Sequence, residues 1–184
     1  MLSFRFNCTK AAQAGAFLLN KAGGSMDKYL FIKMLYIADR ESLSKWGEPI
    51  TGDLPVSMEH GPVLSIIYDL TKGESPGHRA SWSPYISDAD DQTNQVSLKA
   101  DPTRDQLSNN EVRILESVYS KFKDYTWKRI KDYCHSFAEY EDVGKSSEPI
   151  RIESILKALG KTPEQIAEIE KYRQEMNFTE ALLG

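Results

Sequence analysis

A chain of 184 residues, 40% hydrophobic and 27% charged, has the composition of one folded domain and can bury a core without a disulfide or a metal. Its formal charge of -4 argues against general nucleic-acid binding, which needs Lys and Arg clustered against phosphate. The cysteines, Cys8 and Cys134, lie far apart and form no CxxC, so a disulfide framework is not expected and free thiols in a reducing cytoplasm are.

The first helix is expected from about Thr9 to Ala22, stopping at Gly23-Gly24. Lys10, Gln13, Asn20 and Lys21 interrupt its apolar residues, so the start reads as neither a signal peptide nor a membrane span. Ser25 is the expected cap of a second helix, Met26 to Trp46, closed by Gly47. At 1.5 Å per residue that helix is roughly 30 Å long. Leu30, Phe31, Met34, Leu35, Ile37 and Ala38 fill one side of its wheel, and Ile32, Tyr36 and Leu43 much of the other. Only Lys33, Arg40 and Ser44 make a narrow polar stripe, so the helix should be central and buried.

Pro49 to Gly52 reads as a turn. Leu54, Val56 and Met58 then alternate with Pro55, Ser57 and Glu59, the period of a strand, and Pro55 suggests a sheet edge. Gly61-Pro62 should open a third helix, with Pro in its first position and Val63, Ile66, Ile67 and Leu70 as the apolar stripe. Trp82 to Ile86 and Gln95 to Lys99 suggest a hairpin across the acidic turn Asp88 to Asp91. Ser108-Asn109-Asn110-Glu111 is a capping box for an amphipathic helix. Thr126 caps another, carrying Ile130, Tyr133, Cys134 and Phe137. Asp142 to Pro149 reads as a polar linker, followed by short helices from Ile152 and, capped by Thr162, through Ile166, Ile169 and Tyr172. The fold class is therefore mainly α: a single compact helical domain around a long central helix, with a small antiparallel β element. Residues 1–145 would form the domain, and 146–184 a C-terminal helical extension packed on it or appended to it.

Few residues carry recognisable chemistry. Asp39 falls among Ile32, Leu35, Leu43 and Trp46, where a carboxylate has to be paired or hydrogen-bonded. A structural tie is the first reading, and a general base the second. His60 precedes the expected helix start, where the dipole favours a neutral imidazole that accepts one bond and donates another. No spacing of His60, His78, His135, Cys8 and Cys134 resembles a zinc site. Cys134 and His135 are neighbours, so on a helix their side chains diverge by about 100° and do not form a nucleophile–base pair. Phosphate loops and a G-x-S-x-G elbow are absent. Trp127-Lys128-Arg129-Ile130-Lys131 is read first as a solvated helix face. Trp46, Trp82, Tyr85 and Trp127 are candidate binding anchors, each expected first in the core.

Two segments taken together are more specific. Lys33-Met34-Leu35-Tyr36-Ile37-Ala38, then His60-Gly61-Pro62-Val63-Leu64-Ser65-Ile66-Ile67-Tyr68, resemble the Panacea domain of SocA-like and phage-associated antitoxins. That domain has a helix of the type K-L-L-Y-x-A, a short extended region and H/Y-G-P-V-x-x-x-I/L-Y. Gly47, Pro49 and Gly52 match the intervening turn, and His135 matches a His near the end of a later helix, with Tyr140 as the aromatic beyond it. The resemblance marks Lys33, Tyr36, Asp39, Gly47, Gly52, His60, Gly61, Pro62, Tyr68 and His135 as motif residues. It extends in element order over residues 5–145 and gives residues 146–184 no counterpart. It implies a non-enzymatic antitoxin of a bacterial or phage toxin–antitoxin pair, without a cofactor, that binds and neutralises a cognate protein toxin. SocA-like relatives imply a second reading, an adaptor that delivers the toxin to a AAA+ protease. From the residues alone a third reading is a small enzyme built around Asp39 and His60.

Overall fold

The helix that the sequence marks as apolar all round is the axis of the fold. In the computed structural model, which describes residues 1–183, α1 spans Cys8–Lys21 and α2 spans Lys28–Trp46. Every α2 residue from Leu30 to Asp39 is buried. α2 packs against α1, against α5 (Asn109–Phe122) and against α6 (Trp127–His135). The approach of α1 depends on Gly15, where a Cβ would come within 2.9 Å of the Phe31 and Ile86 side chains. Gly47 ends α2 in the left-handed conformation, φ 72°, as the sequence predicts.

The start of α2 differs from expectation. Ser25 does not cap it. Asp27 does, its carboxylate accepting from Tyr29 N at 2.8 Å and Leu30 N at 3.2 Å. Ser25–Asp27 instead form β1, antiparallel to β4 (Gln95–Ser97), with Met26 opposite Val96. The expected 82–99 hairpin is kept only in part: Ser87 N donates to the Ser97 carbonyl at 2.9 Å and Lys99 N to that of Tyr85 at 2.7 Å, on the edge of β4 away from β1. Trp82 ends a four-residue helix, α4 (Arg79–Trp82), and Ile86 meets Leu98 only as an isolated bridge. Met26 and Val96 are both buried, so the β1–β4 pairing hides two apolar side chains.

Pro55 does not mark an edge. β2 (Pro55–Met58) is the centre of a three-stranded antiparallel sheet between β3 (Val63–Leu64) and β5 (Ser147–Pro149). Pro55 is the first residue of its strand, where the missing N–H costs no ladder bond, while its carbonyl accepts from Ile150 N at 2.8 Å. The segment read as a polar linker thus ends in a strand. Gly61-Pro62 does not open a helix either: Val63 and Leu64 first pair with β2, and α3 begins at Ser65 (Ser65–Thr71).

α5 carries the predicted capping box, with Ser108 N donating to Glu111 Oε2 at 2.9 Å and Glu111 N to Ser108 Oγ at 3.3 Å. α7 (Ile152–Ala158) and α8 (Pro163–Leu183) complete the chain. A second, smaller apolar cluster joins Leu43 of α2 to Leu2, Ile150, Ile152, Ile155 and Leu156. No helix of the described residues is long and apolar enough to cross a membrane.

Candidate functional site

The motif residues separate into a closed polar cluster and an open one. The closed cluster is built on Asp39. Its Oδ1 accepts from the backbone N–H of Ile50 at 3.0 Å and of Thr51 at 2.9 Å, and its Oδ2 accepts from Thr51 Oγ1 at 2.5 Å. Asp53, two residues further on, takes Leu54 N at 2.6 Å, Ile66 N at 3.1 Å and Ile67 N at 2.9 Å. It therefore caps α3 from a remote turn. Burial pushes the Asp39 carboxyl up to about 7 and that of Asp53 up to about 6, against the downward pull of their donors. Between them Gly52 has φ 72°, and a Cβ there would lie 2.3 Å from the Arg5 carbonyl oxygen. Only glycine fits where the turn crosses the N-terminal segment.

Tyr36 and Arg40, one helical turn apart, share a second buried carboxylate. Glu139 Oε1 accepts from Tyr36 OH at 3.1 Å and from Arg40 Nε at 2.6 Å, and Oε2 accepts from Arg40 Nη2 at 3.2 Å. The Arg40 guanidinium also lies 4.1 Å from the centre of the Phe137 ring. Burial raises the Tyr36 hydroxyl well above the usual phenol range, so it remains a donor. This fork ties α2 to the segment after α6. Gly47 serves packing as well, since a Cβ there would meet Ile169 of α8 at 2.8 Å.

The open cluster centres on Lys33, which does not sit on a polar stripe: it is 1% exposed. Its aliphatic stem fits the core and its Nζ donates to the Pro62 carbonyl at 2.7 Å. Burial lowers the ammonium to about 8. Gly61, φ 93°, passes so close that a Cβ would lie 3.1 Å from both Lys33 Nζ and His135 Cδ2. His135 stacks on Tyr140, ring centres 4.5 Å apart, and Tyr140 OH donates to the Met58 carbonyl at 3.1 Å. The His135 Nε2 is buried without a hydrogen-bond partner among the described residues. Burial, then the nearby Lys131 and Lys33 charges, depress its pKa and favour the neutral ring. Lys33, His60, Gly61 and Tyr68 all line one cavity of about 280 Å³, together with Tyr29 and Lys145.

His60 is not a corner lock at a helix start. It is exposed in the turn after β2, and its ring lies 6.2 Å from Tyr29 and 6.3 Å from Trp127. Asp39 is enclosed beside Tyr36, Arg40 and Leu43, away from the cavity that His60 lines, so the two proposed members of an enzyme site do not converge. Of the four candidate anchors Trp82 is core, Tyr85 is half-buried, and Trp46 and Trp127 are 48% and 49% exposed, against expectation. A larger cavity of about 480 Å³ lies between the end of α2 and α8, lined by Trp46, Gly47 and Tyr172 among others.

Tyr29, Glu139 and Lys145 escaped the sequence reading. Tyr29, Lys33, Tyr36 and Arg40 follow an i, i+4, i+7, i+11 spacing, a polar-aromatic stripe along one face of α2 that was available as a signal. Nothing local marked Glu139 or Lys145. Among the described residues, no three His, Cys, Asp or Glu side chains converge to hold a metal ion.

Residues 31–140 match the family described as Antitoxin SocA-like, Panacea domain. No curated protein and no solved structure is significantly similar to the chain.

Proposed function

Because this chain belongs to the SocA-like antitoxin family through its Panacea domain, we propose that it neutralises a partner protein toxin by direct, stoichiometric binding without turnover. The observation that carries this reading is the family match together with the fate of the motif residues. Asp39, Tyr36, Gly47 and Gly52 are committed to holding the fold. Lys33, His60, Gly61 and Tyr68 surround an open cavity beside exposed aromatic side chains. The Asp39 and His60 pair needed for the enzyme reading is not assembled, because Asp39 is enclosed away from the cavity that His60 lines.

We further propose that residues 1–145 carry the antitoxin domain and that the residues beyond act as its buttress, through β5 and the second apolar cluster. A titration of purified protein against the activity of a toxic protein that co-purifies with it tests the function. An endpoint near equimolar is expected, because sequestration consumes one molecule per toxin. Inactivation by a small fraction of an equivalent, with the toxin chemically altered, would mean catalysis. Loss of toxin only when a AAA+ protease and ATP are present would mean an adaptor.

A further inference from the structure

The cavity over Lys33 opens beneath a cluster of three aromatic rings. Tyr29 lies 6.0 Å from Trp127, and each lies within 6.3 Å of His60, centre to centre. Trp127 is half exposed, although it opens α6 and would gain from burial. Around these rings stand cations. Lys28 Nζ lies 5.4 Å from the Tyr29 ring centre, Lys131 Nζ lies 5.8 Å from that of Trp127, and Lys145 lines the cavity. Lys33 forms part of its wall, with one of three N–H donors given to Pro62. Glu59 is the carboxylate in the same lining. Asp27 lies within electrostatic reach of Tyr29, and Asp132 and Asp142 of His135, so the cations set against the rings and the cavity share this region with carboxylates.

We propose that this face, the Tyr29–His60–Trp127 rings around the Lys33 cavity, docks an acidic segment of the partner toxin and seats one carboxylate side chain over the Lys33 amine. The proposal rests on the antitoxin reading and names the surface and the chemistry it recognises. An aromatic cluster supplies contact area at low entropic cost, as binding hot spots do. Cations at its rim steer an acidic partner and raise its association rate. A carboxylate suits the cavity because the Lys33 ammonium is a compact point charge that gives one of its three donors to Pro62. Seating it also returns a partner to an amine that burial has made reluctant to hold its proton. A nucleic acid would use the same rings and cations, and it is one of the outcomes that the test below separates.

Three single variants are compared with wild type for affinity toward a co-purifying toxic protein: Trp127→Ala, Lys145→Glu and, in the groove beside α8, Trp46→Ala. All three positions are at the surface, and their melting temperatures verify that the fold is kept. Trp127→Ala and Lys145→Glu should each weaken toxin binding at least tenfold, with the wild-type affinity falling as salt is raised, while Trp46→Ala binds as wild type. Toxin binding unchanged in both Trp127→Ala and Lys145→Glu, or lost only in Trp46→Ala, overturns the proposal and leaves the antitoxin reading standing. A wild-type protein that fails to bind the toxin at all overturns that reading and this one with it. A toxin-free arm separates the chemistry: the fluorescence of Trp46→Phe protein, whose remaining tryptophans are the exposed Trp127 and the buried Trp82, is titrated with hexaglutamate, hexalysine and a hexauridine oligonucleotide. Saturable quenching by hexaglutamate alone is expected. Quenching by hexauridine without hexaglutamate assigns the face to nucleic acid and overturns the proposal.

Discussion

Asp39 and Lys33 sit less than two turns apart on the same helix, both buried, and they end in opposite circumstances. Asp39 has three donors, all from the 50–51 turn, and its neighbour Asp53 has three more. Lys33 has one acceptor and a cavity. A buried charge whose bonds are all internal contributes to a single folded state and has nothing left to offer a partner. A buried charge left with free donors costs stability, and it persists where a ligand can supply what the fold does not. The contrast separates motif residues that specify the domain from those that face its surroundings.

The sharpest way to break this contrast is to remove the closed cluster. Asp39→Ala leaves two backbone N–H groups and the Thr51 hydroxyl without their acceptor and should cost about 3–5 kcal/mol in a denaturant titration. Neutralisation per folded molecule should be unchanged, and its abolition with unaltered stability would make Asp39 part of the working surface. The sign of the pH dependence follows from the raised pKa. Between about 4 and 7 the folded state holds the Asp39 proton more tightly than the unfolded chain, so this contribution to stability falls as pH rises through that window. Asp39→Asn should flatten that slope.

Leu156→Ala probes the buttress outside the family match. The side chain is fully buried in the second cluster, and its truncation should cost about 2–5 kcal/mol by thermal or denaturant unfolding. A cost below about 1 kcal/mol would mean that the extension is appended and contributes little to the domain's stability.

Lys33→Met keeps the stem and removes the amine. Near neutral pH it should be close to neutral in stability, because the lost bond to Pro62 is offset by no longer burying a charge. The wild type should gain on the variant as pH rises from about 8 to 10.5, on the order of 2–3 kcal/mol, since over that range the unfolded chain binds the proton that the folded state has released. Parallel melting curves for the two proteins from pH 7 to 10 supply the check, and an unchanged difference would mean that the buried amine titrates normally.

The smallest effect is expected at the cysteines. Cys8 and Cys134 are free and buried, and burial raises their thiols to about 11 and about 12. Neither should react with iodoacetamide in the native protein at pH 7.5, and both should after denaturation. Mass spectrometry reads the difference, and rapid native labelling of either would show it exposed.

What the sequence made legible was governed by near neighbours. The buried helix followed from the absence of a polar face, the α5 cap from Ser108 and Glu111, and the end of α2 from Gly47. What it hid depends on partners far along the chain. β1 and β4 are three residues each, too short for a period to declare itself, and they meet across the whole α2–α4 region. Pro55 looked like an edge residue because nothing local reveals that strands will flank it on both sides. Lys33 looked solvated because its charge outweighs its four-carbon stem in any wheel. The site was legible as a set of motif residues, but not as the division between those that close inward and those that open outward.

The sheet has a consequence for how the chain is made. β3 follows β2 within a few residues, but Val56 pairs on its other side with Pro149. Synthesis at about 5–20 residues per second leaves that side of β2 bare for something like 5–20 s after it emerges. During that interval the strand presents unpaired backbone groups to any other nascent chain in reach. Translation speed between β2 and β5, and any chaperone that shelters the bare strand, should therefore influence how much of the protein reaches its folded state.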